Sequence, residues 1–152
     1  MSQTSLINLI ILAALLAGAL IAAQGVVNGR LTAYVGGPVQ AALASFAVGW
    51  VSLLVLNLAM GNDMPIAHAI NTAPWWAWLG GIAGAMAVAL AAFAVPRIGV
   101  ATYISALIAG QLTAAIFYDH FGLFGQAVRE ITPLRLLGVL FMGAGVYLIR
   151  RF

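Results

Sequence analysis

The stretch LINLIILAALLAGALIAA, residues 6–23, holds one polar side chain, Asn8, and no charge. About 20 apolar residues rising 1.5 Å each cross the hydrocarbon core of a bilayer. By length the run suits either a cleaved secretory leader or a spanning helix. A leader begins with a basic segment and ends on small residues at a cleavage site. No basic residue precedes Leu6 here, and the run passes into Gln24 and Asn28 without such a site. It reads as a first spanning helix.

The rest of the chain agrees with that setting. Hydrophobic residues make up 64% of the 152 positions and charged residues 6%, with a mean hydropathy of +1.11. These values lie far outside the range of water-soluble domains. The expected fold class is all-α: a polytopic membrane protein, one transmembrane domain over residues 1–152, burying its surface in lipid and in helix contacts. The 20-residue ruler fits five times, at about 5–25, 38–60, 74–95, 99–118 and 133–150. The intervals carry turn residues: GGP at 36–38, GNDMP at 61–65, PWW at 74–76, PRIG at 96–99 and REITP at 129–133. Each proline is expected at a turn or a helix start.

Six arginines and no lysine give a net charge of +3. They stand singly or in one pair near segment ends, which is an orientation signal and argues against nucleic acid as a partner. With five crossings, Arg129 and Arg135 fall on the side of the N-terminus, and Arg30, Arg97, Arg150 and Arg151 on the other. The positive-inside rule then places the C-terminus in the cytoplasm. The absence of cysteine excludes disulfides, thiolate metal sites and cysteine nucleophiles.

Polar groups in hydrocarbon cost free energy unless they are paired or face water. Gln24 and Asn28 are four apart and share a helix face. They either line a cavity and bond a ligand, or cap the helix and bridge to a neighbour. Thr102, Ser105 and Thr113 share one face of the fourth segment and can bond their own backbone carbonyls. Gln111 points the other way, toward a cavity or another helix. Trp75, Trp76 and Trp78 form either an interfacial anchor or a stacking cage. Small residues recur at helical spacing in Gly80/Gly84, in Gly81/Ala85/Ala89, in Ala106/Gly110/Ala114 and in Ser45/Gly49/Ser52, so close helix packing is expected.

Two histidines and three acids offer little for catalysis. His68 lies with Asp63 in an expected loop, no H-E-x-x-H spacing occurs, and neither an enzyme nor a metal or cofactor site is expected. Proton-coupled pumps hold a carboxylate deep in a helix, and no segment here has a mid-span Asp or Glu. Asp119 and His120, at the membrane edge, either close a helix with the loop FGLFG or serve as a gating or proton-linked pair.

The segments QGVVNGRL (24–31), GGPVQAALASFAVG (36–49), PWWAWLGGIAGA (74–85), PRIGVA (96–101) and AGQLTAAIFYDHFGLFG (109–125) together resemble one family. This is the YdcZ-like, five-helix, EamA-related branch of the drug/metabolite transporter (DMT) superfamily. The resemblance implies a bacterial inner-membrane transporter of a small organic metabolite or amphiphile, an exporter by analogy. It also implies half of a ten-helix inverted-repeat bundle. Such a chain is expected to pair with an oppositely oriented copy, or with a related five-helix chain, for alternating access around a midplane site. The resemblance assigns motif positions to Gln24, Asn28, Gln111, Asp119 and His120. The chain lacks the first-helix glutamate of the small multidrug resistance proteins. A cationic substrate would therefore rest on aromatic faces such as Tyr34, Trp50 or Tyr103; otherwise the substrate is neutral or zwitterionic. The alternative role is that of a non-transporting membrane subunit that stabilises or scaffolds a partner membrane protein.

Overall fold

In a computed structural model, residues 3–152 are described, and among them there are helices and turns but no strand. The helices are α1 (Gln3–Val35), α2 (Pro38–Ala59), α3 (Ile66–Thr72), α4 (Leu79–Ile98), α5 (Val100–Phe121) and α6 (Pro133–Arg151), with a 3₁₀ turn over Trp75–Trp78 leading into α4. Among the described residues five stretches are long and apolar enough to cross a membrane: Gln3–Val35, Pro38–Ala59, Trp75–Ile98, Val100–Phe121 and Pro133–Arg151. The protein is thus an all-α polytopic membrane protein. The chain forms two compact units, one up to Arg97 and one from Ile98 onward.

In the first unit α1 runs ten residues past the expected end at residue 25, to Val35. Nothing in VVNGRLTAYV forbids a helix, and the stop comes only at Gly36, whose φ of +96° favours glycine. Pro38 then opens α2 at its first turn. Gln24 and Asn28 are therefore interior to α1, and the capping alternative is removed. The link between Met60 and Pro74 was expected to be a loop, yet it contains α3, which carries His68. Asn71 and Thr72 there bond back to the carbonyls of Ala67 and His68.

The third spanning segment reaches Ile98, with Pro96 inside α4 rather than at a turn. A proline withdraws one N–H, here the one that would serve the Ala92 carbonyl. So close to the helix end this breaks little, and Arg97 folds back to donate to the Phe93 carbonyl and to cover the Phe93 ring at 3.7 Å.

Small residues supply the packing of this unit. Gly25, Asn28 and Gly29 are the buried residues of α1, Ala41 and Ala42 those of α2, and Ala92 and Val95 those of α4. A side chain on Gly29 would lie 2.9 Å from Pro96 Cγ, and one on Gly25 would lie 3.3 Å from Val95 Cγ2. The backbones of α1 and α4 thus meet where no larger residue fits, which is how helices adhere in lipid. The glycine stripe at Gly80 and Gly81 has no neighbour within 4 Å, while Gly84 receives the Phe46 ring at 3.5 Å.

In the second unit α5 and α6 pack along each other. Helix α5 runs to Phe121, so Asp119 and His120 occupy its last turn. Gly122, with φ of +59°, ends it in the left-handed conformation. Thr132 caps α6 by accepting from the Arg135 N–H at 3.3 Å, and Pro133 follows at the first helical position.

Candidate functional site

Helix α2 has 22 residues, about 33 Å, which matches the hydrocarbon core, so its midpoint beside Gly49 marks the bilayer centre. A groove of about 280 Å³ opens there between α1 and α2, lined by Gln24 from α1 and by Ser45, Phe46, Gly49, Trp50 and Leu53 from α2. The gap follows from side-chain size, because Gly49 and Ser45, one turn apart, withdraw bulk while Phe46 and Trp50 stand as walls. Gln24 is exposed, and no hydrogen bond engages its amide or the Ser45 hydroxyl among the described residues. Ser52, by contrast, is satisfied on its own helix, donating to the Val48 carbonyl at 2.8 Å. An unengaged amide at mid-membrane depth can donate to and accept from a ligand without first breaking a bond.

Asn28, one turn beyond Gln24, points elsewhere. It is 2% exposed, and its Nδ2 has no acceptor among the described residues. An unsatisfied buried donor costs about 1–3 kcal/mol. The Ala92 carbonyl oxygen, which has no donor from Pro96, lies 3.8 Å from the Cβ position of Gly29.

A second groove, of about 660 Å³, shares Trp50 and Leu53 with the first and continues along α2 past Leu56, Asn57 and Met60 to Asn62 and Ile66. Asn57 Nδ2 donates to the Asn62 carbonyl at 3.2 Å and holds the turn at this end.

In the second unit a groove of about 630 Å³ lies between α5 and α6, lined by small residues such as Gly110, Ala114 and Gly143 and by Phe117 and Tyr118. Gln111 is exposed and outside that lining, and Tyr103 is 7% exposed. Ser105 and Thr113 donate to the carbonyls of Thr102 and Ala109 at 3.0 and 2.8 Å, so these two hydroxyls of α5 are satisfied on their own helix. Asp119 pairs with Arg135 of α6 at 3.4 Å, and its carbonyl accepts from the Arg129 N–H at 2.8 Å and the Gly122 N–H at 3.4 Å. The His120 ring lies edge-on to Phe121 at 4.8 Å, with Nδ1 buried and without a partner among the described residues.

The structure therefore brings together Gln24 and Trp50 of the expected residues, turns Asn28 into the protein, and places Tyr103, Gln111, Asp119 and His120 in the other unit. Ser45 and Gly49 were visible in the sequence as a small-residue stripe, but that spacing carried no sign of which side faces Gln24. The Gly25/Gly29 contact with Val95 and Pro96 has a signal in the sequence, the G-x-x-x-G of Gly25 and Gly29 that encloses Asn28, distinct from the expected stripe of α4. Among the described residues no group of three His, Asp or Glu side chains is placed to hold a metal ion.

The class defined by this fold is a five-span α-helical membrane protein whose grooves are mostly apolar, with a few amide and hydroxyl groups in their walls. Residues 9–148 match the family described as "Putative inner membrane exporter, YdcZ", and the chain belongs to it. Neither a curated protein nor a solved structure matches the chain. The protein is a multi-pass protein of the inner membrane, in a family of transporters rather than of enzymes.

Proposed function

We infer that the chain exports a small neutral or zwitterionic organic compound by alternating access, as a dimer of oppositely oriented copies or with a related five-helix chain. The observation that carries this reading is the unengaged Gln24 amide beside Ser45, Gly49 and Trp50 at the centre of α2. A polar group left free at that depth is a liability in a purely structural helix and an asset in a substrate site. Five spans per chain support the pairing of opposed halves, because an odd number leaves each chain with its ends on opposite sides. The Asp119–Arg135 pair, which fastens α5 to α6, is assigned to gating.

The test is counterflow into proteoliposomes holding the purified protein alone, with a panel of labelled neutral, zwitterionic and cationic metabolites. Movement of neutral or zwitterionic compounds is expected, with loss of roughly tenfold or more in Gln24→Leu. The variant should melt like the parent, since no bond is lost. Failure of every compound to move, together with stabilisation of a second membrane protein by this chain, would favour the scaffold role instead.

A further inference from the structure

The two grooves of the first unit share Trp50 and Leu53 as lining residues, and the distance they cover together along α2 matters. From Gly49 to Met60 along α2 is 11 residues, about 16 Å, close to the thickness of one leaflet's hydrocarbon layer. At the midplane end stand Gln24 and Ser45, and at the interfacial end Asn57 and Asn62, with apolar side chains between them. Among the described residues no charged side chain lines either groove. The larger groove, about 660 Å³, falls in the range of ligand sites, and the smaller, about 280 Å³, lies just below it.

Polar stations at both ends of an apolar path suit one kind of occupant. A wholly apolar molecule gains nothing from the amides, and a charged headgroup would lose its hydration with no counter-charge to replace it. A polar metabolite with no apolar part would leave the leucines of the path unused. We propose that the joined grooves form a one-leaflet track for the headgroup of an uncharged single-chain amphiphile, with Asn57 and Asn62 at its interfacial mouth and Gln24 and Ser45 at its midplane end. The headgroup exchanges hydrogen bonds between the two stations while the chain stays in the lipid beside α2. This rests on the transport reading and names its substrate class.

The experiment uses full-length protein in nanodiscs and a monoacylglycerol carrying a diazirine next to its glycerol head. Irradiation and peptide mapping should place adducts within residues 45–66. Unlabelled monoacylglycerol should displace them, and an alkyltrimethylammonium or alkyl sulfate of equal chain length should not. Leu53→Trp, at an exposed position shared by both grooves, should cut these adducts roughly tenfold or more by filling the path. Gln24→Leu should remove adducts near Gly49 and spare those near Asn62. Even labelling of all helices, equal competition by charged amphiphiles, or unchanged adducts in Leu53→Trp would overturn the proposal. Groove adducts without movement of any compound across proteoliposomes would keep the track and remove transport. Movement of polar metabolites without groove adducts would do the reverse.

Discussion

Replacing Gly29 with alanine puts a methyl carbon 2.9 Å from Pro96 Cγ and 3.3 Å from Cδ, about 0.5 Å short of the 3.4 Å at which ordinary contact begins. The obstacle is a proline ring closed onto its own backbone, so it cannot swing aside as a flexible side chain would. Relief requires α1 and α4 to part, which thins the contacts of Gly25 with Val95 and Ala91 as well. Overpacking of this kind costs about 1–3 kcal/mol, and the better helix propensity of alanine returns about 0.5–1 kcal/mol. A net loss of about 1 kcal/mol is expected, read from unfolding in a mixed-micelle titration followed by tryptophan fluorescence. Gly18→Ala is the control, because nothing lies within 4 Å of its Cβ position, and it should lose nothing. Removing the ring in Gly29→Ala/Pro96→Ala should recover part of the loss, with a coupling of about 1 kcal/mol in the double-mutant cycle. If Gly29→Ala is as stable as Gly18→Ala, or if Pro96→Ala restores nothing, the close approach of α1 and α4 is not what holds this unit.

Asp119→Asn and Arg135→Gln break the same pair, whose side chains are 36% and 32% exposed. Each should cost at most about 1 kcal/mol of stability yet alter the counterflow rate in the same direction. An effect of one variant without the other would remove the pair from gating. The absence of cysteine allows topology to be read from single probes in intact cells, Asp63→Cys and Phe152→Cys, with a membrane-impermeant maleimide. Labelling of about half the molecules at each site is expected of a dual-orientation homodimer. Labelling at residue 63 alone would turn the search to an oppositely oriented partner chain.

Much of this protein could be read before any coordinates. Five apolar runs with turn residues between them specify five spans, because hydropathy is a local property and lipid demands that every backbone group be bonded within its own helix. Where the runs end was less legible. Residues 26–35 look like the start of a loop because Asn28, Gly29 and Arg30 stand among them, but a helix packed on small residues tolerates all three, and only Gly36 stops it. The link at 60–74 hides α3 for the opposite reason: a seven-residue helix is too short to show a period.

The candidate site divides in the same way. That Gln24, Asn28 and Trp50 deserved notice followed from their chemistry, since amides and large aromatics in a lipid-spanning run are conspicuous one residue at a time. That Gln24 looks into a groove with Ser45 and Trp50 while Asn28, one turn on, is sealed against the protein was decided by tertiary structure alone. A helix shows its neighbours a face whose direction depends on which small residues let another backbone come close. Gly25 and Gly29 admit Val95 and Pro96 on one side of α1, and that contact sets the rotation that leaves Gln24 open on another.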